Sequence, residues 1–460
     1  MKLHILGICG TFMGGIALLA RELGHHVSGS DANVYPPMSV QLQEAGIQLH
    51  EGYTADPLRD DTPDMVIVGN AVSRGNPAVE YMLNNKLRYC SGPEWLLDNV
   101  LGGRQIFAVS GTHGKTTTTA MLGWVLEYAG KNPGFLIGGV AENFGLSARL
   151  GDNFFVVEAD EYDTAFFDKR SKFIHYHPDT LIINNIEFDH GDIFGNLEDI
   201  LREFRRLLRT VPANGQIIYK QDDVNIRAVL DGGCWSPVTG FGGEGAVWQL
   251  GAGSADMSSF EVLHEGQLAC TVNWDLMGRH NAENALAVIA AVSRHGIGPR
   301  KVAEALSGFK SVKRRLQRLA VIEGISIYDD FAHHPTAMRV TVEALRGNVG
   351  REQRIIAVFE PRSNTMKLGT HKDMLAGSVQ DADQVVVLRP ANLGWDLQAA
   401  MAQLRDRIHI FDTTAEIINF LSSQLHAGDH VLIMSNGSFG GLHGVLISRL
   451  RQQHARNEPQ

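Results

Sequence analysis

The stretch Ala108–Leu122, AVSGTHGKTTTTAML, constrains the fold of this chain more than any other. It joins an apolar strand, QIFAVSG, to a helix, KTTTTAMLGWVLEYAG, through a turn holding Gly111, Thr112, His113, Gly114 and Lys115. A strand feeding a helix through a glycine turn is a unit of an open parallel sheet. The turn converges backbone N–H groups and a helix N-terminus on one point, a geometry that binds phosphate oxygens. Lys115 adds a point charge for phosphates, and Thr116 offers a hydroxyl to a magnesium ion. The usual phosphate loop reads G-x-x-x-x-G-K-[ST]. Here Val109 holds its first glycine position, and the glycine before Gly114 is Gly111. The stretch alone leaves two readings open: a shortened nucleotide loop, or a tight strand–helix turn with a solvated lysine.

The same alternation runs through the rest of the chain. With 460 residues, it is too long for one ordinary core. LHILGI, HHVSGSD and DMVIVGNAV read as strands of a first parallel unit, and MGGIALLARELG as the helix after the first. VLGGRQ, at 100–105, has linker composition. In the second unit, NFFVVEAD and DTLIINNIEFDH read as strands ending in acids, LEDILREFRRLLRTV as an amphipathic helix, and residues 235–275 as hairpins. The basic stretch FKSVKRRLQ marks a second boundary. After it, ISIYDDFAHHP, RIIAVFEPR, DQVVVL and HVLIMSNGS each pair an apolar strand with a polar or glycine-containing loop. The expected architecture is α/β in three domains: 1–103 Rossmann-like, 104–311 resembling a P-loop ATPase, and 312–460 Rossmann-like.

Composition excludes several function classes. A net charge of -10 argues against an electrostatic grip on nucleic acid or an anionic membrane. No apolar run is long enough to span a bilayer. Cys9, Cys90, Cys234 and Cys270 form no CxxC, so neither a zinc knuckle nor a disulfide framework is suggested. The N-terminus lacks a cleavable apolar leader, and a reducing cytoplasm fits.

Further motifs carry chemistry. Glu158, Asp160 and Glu161 close an apolar strand, and Asp189 and His190 are expected at the end of the next one. In a parallel sheet such ends converge on one crevice, where a magnesium ligand beside a phosphate loop is wanted. GICGTFMGG departs from the dinucleotide fingerprint G-x-G-x-x-G, because Cys9 and Phe12 hold its second and third glycine places. Asp31 lies at the distance suited to a ribose hydroxyl. That turn reads equally as a nucleotide diphosphate site or as a glycine-packed helix–sheet contact. Asn281 and Asn284 stand at a helix start, where Asn281 reads as a cap and either amide can meet an adenine edge. His333 and His334 follow a strand, on a loop that is expected to face the nucleotide.

Taken in order, GTHGKTTT, EADE, NNIEFDHGD, GRHNAENALA, VKRRLQ and DDFAHHPT resemble the Mur ligase family over essentially the whole chain. These are ATP-dependent amide ligases of bacterial cell-wall precursors, and the shortened phosphate loop is their form. The resemblance is strongest to the branch that uses UDP-N-acetylmuramate. GICGTFMGG, GSDANVYPPMS and FEPRSNTMK are similar to the member that joins a ready-made tripeptide, L-alanyl-γ-D-glutamyl-meso-diaminopimelate.

The resemblance implies roles position by position. Lys115, Glu158 and His190 carry catalysis, and Thr116, Glu158 and His190 hold magnesium, with two ions expected. Gly111, Thr112, His113, Gly114, Lys115, Thr116 and Thr117 cradle ATP, joined by Asn281, Asn284, Arg315 from the linker and Asp330 at the ribose. Gly10, Thr11, Asp31 and Ser73 hold the UDP-sugar. Arg362 pairs with a peptide carboxylate. His333 and His334 are candidate bases or loop packing. A monomer with no nucleic-acid or membrane partner is expected. One departure is visible: the helix after the DH motif, LREFRRLLRT, lacks the lysine that several family members carry as a carbamate. The competing readings are the sister ligase that adds L-alanine, a nicotinamide-dependent oxidoreductase resting on GICGTFMGG and Asp31, and a P-loop regulatory binder.

Overall fold

The computed structural model describes residues 1–34 and 38–457. Tyr35, Pro36 and Pro37 of GSDANVYPPMS, and the end of the polar tail, lie outside the described residues.

Among the described residues three large sheets follow one another along the chain, and a two-stranded antiparallel ribbon, Asp163–Ala165 with Asp168–Ser171, stands apart from them. The first has five parallel strands in the order Gln48–Glu51, His26–Asp31, Lys2–Leu6, Met65–Val68, Tyr89–Ser91. The chain reverses its winding direction at Lys2–Leu6, so a crevice opens beyond the carboxyl ends of that strand and Met65–Val68. Gly7, Asp31 and Gly69 stand around it.

The second sheet has ten strands. Its parallel centre places Gln105–Ser110 between Phe154–Glu158 and Thr180–Ile183. An antiparallel ladder of Trp248–Gly253, Ser259–His264 and Gln267–Asn273 extends one edge, where hairpins are expected from the sequence. Side chains alternate across Gln105–Ser110. Ile106 and Ala108 join the cluster shared with the first sheet, while Phe107 and Val109 face helices Lys115–Tyr128 and Arg279–Ser293. Strands buried on both faces therefore read as continuous apolar runs. Burying one such Phe contributes about 1.5–3 kcal/mol.

Helix Leu197–Leu208 packs through Ile200, Leu201, Phe204, Leu207 and Leu208, the three- and four-residue spacing of a single helical face. Asn196 caps it by accepting from the Asp199 N–H. Helix Lys115–Tyr128 instead buries Thr116, Thr117, Thr118 and Thr119. It tolerates them because their hydroxyls find partners, as Thr119 does in the Lys115 carbonyl at 2.8 Å.

The third sheet has six strands in the order Gln317–Ile322, Ile325–Asp330, His430–Met434, Ile355–Phe359, Gln384–Leu388, Ile408–Phe411. The first pairing is antiparallel and the rest are parallel. This α/β architecture of three sheets is the expected fold class.

One expectation fails. Thr180–Ile183 ends at Ile183, so Asp189 and His190 lie on a loop several residues beyond the strand. The backbone leaves the sheet there as the Asn185 amide turns to the phosphate loop at His113 and the Asn184 amide to Thr118 of the helix that follows it.

Candidate active site

The phosphate loop is held by the neighbouring loop. Asn185 accepts from the His113 N–H at 2.8 Å and returns a bond to the His113 carbonyl at 3.2 Å. Thr112 accepts from the Glu187 N–H at 2.8 Å. Gly111 and Gly114 have φ of +128° and +80°. A Cβ on Gly114 would stand 2.7 Å from Asn284 Oδ1, and one on Gly111 2.9 Å from the Asn185 carbonyl, so neither position accepts a side chain. Helix Lys115–Tyr128 starts at Gly114 without a side-chain cap. Its first-turn N–H groups, those of Lys115, Thr116 and Thr117, are the donors that a phosphate takes.

Lys115 Nζ donates to the Gly111 carbonyl at 2.7 Å and to Glu161 Oε2 at 3.0 Å. Glu161, 1% exposed, also meets His190 Nε2 at 3.2 Å. One buried carboxylate therefore fixes both the loop lysine and the histidine. Thr116 Oγ1 donates to Glu158 Oε1 at 3.2 Å, and Glu158 Oε2 accepts from the Gly138 N–H at 2.8 Å. Asp160 accepts from Lys172 Nζ at 3.0 Å.

These charges set one another. Burial works against the Lys115 ammonium, but Glu161, Asp160 and Glu158 outweigh it and raise its pKa. Burial opposes the Glu161 carboxylate too, and Lys115 and His190 pull its pKa below the usual range. Burial opposes the His190 imidazolium, but Glu161, Asp189 and Asp160 together outweigh it and raise its pKa. Glu158 is raised, since burial exceeds what Lys115 and the Gly138 N–H return. Glu158 is thus a carboxylate short of positive charge.

The expected metal trio of Thr116, Glu158 and His190 divides into two groups. Thr116 pairs with Glu158. His190 joins Asp160 and Glu161, whose ligand atoms lie within 4.8 Å of one another. Glu161 is the residue that reasoning from the sequence under-weighted. Its signal was its place in EADE, one residue past Asp160. The four oxygen-bearing side chains suit a hard cation that keeps water and substrate oxygens in its shell, as magnesium does.

The third domain reaches the same point. Arg315 Nη2 donates to Thr116 Oγ1 at 3.1 Å and lies over the Phe331 ring. Asp330 accepts from the Leu316 N–H at 2.6 Å and the Ala332 N–H at 2.7 Å, so its carboxylate shapes the linker that carries Arg315. Burial, outweighing Arg315, raises its pKa. Thr365 donates to Asp189 at 2.9 Å, and Thr336 to Glu187 at 2.7 Å. Glu187 also meets His113 at 3.2 Å and lies 3.6 Å from His334, and His371 meets the Phe188 carbonyl at 3.1 Å, which closes a seam between the two domains. His333 is half-buried, with Nδ1 against the Phe331 carbonyl. Arg362 stands at the carboxyl edge of the third sheet, half exposed, 4.0 Å from Glu360.

Asn284 abuts the phosphate loop, whereas Asn281 does not cap its helix. Gly278 is the N-cap, and the Asn281 amide donates to the Met277 carbonyl at 2.8 Å. An amide at the third helical position is too far along to receive the first free N–H groups.

A cavity of about 540 Å³ connects the acidic end to the first-domain crevice. Gly10, Thr11 and Asp31 line it, together with Glu158, Asp160 and Lys172. Asp31 accepts from the Cys9 N–H at 2.8 Å and the Asn33 N–H at 3.0 Å, so it pins the glycine turn. Ser73 is exposed on the loop after Met65–Val68 and stands outside the lining, which takes Asn70 and Ala71 from that loop. The paired glycines of MGG serve packing. A Cβ on Gly14 would strike the Met38 side chain, and one on Gly15 would strike Leu136 of the second sheet.

Residues 2–101 match the description "Mur ligase family, catalytic domain", 109–292 "Mur ligase middle domain" and 314–437 "Mur ligase, glutamate ligase domain". A relative from Escherichia coli, named UDP-N-acetylmuramate--L-alanyl-gamma-D-glutamyl-meso-2,6-diaminoheptandioate ligase, is 51% identical over 98% of this chain and 99% of its own. The crystal structure of a murein peptide ligase from Psychrobacter arcticus is 43% identical with a TM-score of 0.76, covering 98% of each chain. That of a UDP-N-acetylmuramate-alanine ligase from Thermotoga maritima is 25% identical with a TM-score of 0.84, covering 98% of this chain and 100% of its own.

Proposed function

The chain belongs to the Mur ligase family, and from that premise we propose that it is an ATP-dependent amide ligase joining L-alanyl-γ-D-glutamyl-meso-diaminopimelate to UDP-N-acetylmuramate. The observation that carries this reading is the joint position of Lys115 and His190 on buried Glu161, beside Thr116, Glu158 and Arg315 and at the end of a cavity that reaches the first-domain glycine turn. In this reading residues 1–103 hold the UDP-sugar, 104–311 hold ATP, and 312–460 close on ATP and bind the peptide. The relative of 51% identity supports the tripeptide as the amine partner.

A carboxylate does not acylate an amine in neutral water. In the proposed reaction a carboxylate oxygen of the sugar's lactyl group attacks the γ-phosphorus of ATP, and ADP leaves with the electron pair of the broken P–O bond. The tripeptide's neutral amine then attacks the carbonyl carbon of the acyl phosphate. Inorganic phosphate leaves, and the nitrogen loses its proton. Lys115 and the N–H groups of the first helical turn hold the phosphoryl oxygens where charge accumulates. Thr116 with Glu158, and Asp160 with Glu161 and His190, would each hold a magnesium ion, which is why we assign two. Bound magnesium supplies charge neutralisation between the triphosphate and the carboxylate. Arg315, positioned by Asp330, brings a further cation once the third domain is seated. That seating excludes the water that would hydrolyse an acyl phosphate.

We place the activity in the cytoplasm, as a monomer, where nucleotide-linked sugars and ATP are available. Among the described residues no helix is long and apolar enough to cross a membrane. The test offers purified protein ATP, magnesium and UDP-N-acetylmuramate with either tripeptide or L-alanine, and reads product mass. A tripeptide adduct with equimolar ADP is expected. An alanine adduct instead would transfer the reading to the alanine ligase, and ADP without any adduct would refute ligation.

A further inference from the structure

The cavity wall has an uneven charge. Asp31, Glu158 and Asp160 line it, and among the described lining residues Lys172 is the one cation. Lys115, the other ammonium nearby, is outside that lining and faces the phosphate loop. On the reading above, the cavity must accept a sugar nucleotide bearing both a diphosphate and a carboxylate. An anion of that kind does not enter an acidic wall without a counter-charge.

Lys172 is built into that position. It begins the short turn Lys172–His175 that follows strand Asp168–Ser171, and its backbone N–H donates to the Tyr162 carbonyl at 2.9 Å. Ser171, the residue before it, donates to buried Glu203. The Lys172 side chain is 8% exposed. Its ammonium lies 5.5 Å from the centre of the Phe12 ring and 5.6 Å from that of Tyr162, between two aromatic faces. One of its three N–H donors goes to Asp160 at 3.0 Å. Phe12 belongs to the first turn of helix Thr11–Glu22, in the first domain, and Asp160 to the acidic centre of the second. The ammonium thus stands where the two domains meet.

We propose that Lys172 is the substrate-positioning residue that receives the carboxylate of the UDP-sugar and separates acid-bearing sugar nucleotides from those without the acid. This rests on the reading of the cavity as the sugar-nucleotide site. The diphosphate has its own donors in the uncapped N–H groups of helix Thr11–Glu22. The carboxylate is the group that must reach Asp160 and the phosphate loop, and there Lys172 is the cation available from the sugar side. Its two remaining N–H donors match one carboxylate. Without it, Glu158 and Asp160 repel the incoming acid.

The test compares wild type, Lys172→Gln and Lys172→Arg. Binding is measured by calorimetry with UDP-N-acetylmuramate and with UDP-N-acetylglucosamine, which keeps the diphosphate but lacks the carboxylate. In Lys172→Gln, affinity for the acid-bearing sugar is expected to fall by about 10- to 100-fold, the loss of one charge-assisted hydrogen bond. Affinity for UDP-N-acetylglucosamine and the KM for ATP stay within about twofold of wild type. Lys172→Arg keeps the charge and is expected to restore part of the lost affinity. Equal losses for both nucleotides would assign the lysine to the diphosphate and overturn the proposal, as would no loss for either. If Lys172→Gln does not fold, Lys172→Arg alone carries the comparison: a loss confined to the acid-bearing nucleotide supports the proposal, and equal or absent losses overturn it. Wild-type protein that fails to bind UDP-N-acetylmuramate would refute the sugar-nucleotide reading itself, a separate outcome.

Discussion

Replacing Lys115 by methionine separates two jobs that the structure gives one side chain. Its ammonium pairs with Glu161 at 3.0 Å, and Glu161 is 1% exposed. Removing one partner of a buried ion pair typically costs about 3–5 kcal/mol, because the remaining charge stays desolvated. His190, at 3.2 Å, still offers Glu161 a partner, so Lys115→Met is expected to lose about 3 kcal/mol, the lower end of that range. The loss is read by urea unfolding followed by tryptophan fluorescence, with Trp124 on the same helix as Lys115. The double variant Lys115→Met/Glu161→Gln removes both charges of that pair, while His190 keeps Asp189 and Asp160 nearby, and is expected within about 1 kcal/mol of wild type. Its ligase rate stays down by about 10²–10³-fold, since the phosphoryl group still lacks its cation.

The effect has a pH signature. The folded-state pKa of Glu161 lies below its ordinary value, so its contribution to stability is present above the unfolded pKa and fades as pH falls through the folded one. The gap between wild type and Lys115→Met therefore narrows in acid. A single variant as stable as wild type at neutral pH would refute the ion-pair argument. A double variant that regained ligation would reduce Lys115 to a counter-ion.

Further outcomes follow from other sites. His4 is buried between Ser28 and Ser30, and burial pushes its pKa down to about 4. The unfolded chain therefore takes the proton first as pH falls below 6.5, and the first domain is expected to lose about 3 kcal/mol between there and pH 4. His4→Gln should flatten that slope in a series of thermal melts. Arg315→Met removes the donor that reaches Thr116 from the linker and is expected to raise the KM for ATP about tenfold with the melting temperature unchanged. An unchanged KM would detach Arg315 from the nucleotide. Arg362→Ala should raise the tripeptide KM about 10- to 100-fold and leave ATP binding alone. Gly437→Ala tests the same point with the arginine intact, since the new Cβ would fall 1.3 Å from the guanidinium and displace it. Unchanged tripeptide kinetics in both variants would remove Arg362 from the peptide site.

Local pattern made the three sheets legible, and contacts across the chain were not. QIFAVSG followed by GTHGKTTT announces its strand, loop and helix because apolar run, glycines and lysine all lie within one turn of each other. The Asp189–His190 loop was misplaced because IINNIEFDH carries apolar residues past Ile183. Whether that backbone stays in the sheet depends on Asn184 and Asn185 meeting Thr118 and His113, far away in sequence. Glu161 sits in a run of acids whose members look alike until burial and partners distinguish them. Lys172 carries no motif at all. Its meaning comes from Phe12, 160 residues earlier, and from Asp160. Ser73 shows the converse: a polar residue that only the family resemblance suggested, on a loop whose cavity-facing positions are Asn70 and Ala71.

The two domain seams differ in kind, and the difference bears on how the site closes. One apolar cluster holds Leu3, Ile5 and Ile16 of the first domain together with Leu136, Phe155 and Val157 of the second. Separating those domains would expose a shared core, so they form one body that carries the cavity and the phosphate loop. The third domain has apolar clusters of its own around Ile355 and Ile356. Its approach to the site rests largely on polar contacts: Arg315 to Thr116, Gln317 to Glu142, Thr336 to Glu187 and Thr365 to Asp189. Each such bond contributes about 0.5–1.5 kcal/mol net, and water can replace it. A seam of that composition is specific in register yet inexpensive to part. A ligase that must admit a triphosphate and a peptide and then exclude water needs both properties. Arg315 lies on the linker between the domains and Asp330 ends the strand Ile325–Asp330 that holds that linker, so on the proposed reading seating the third domain also brings a cation to Thr116.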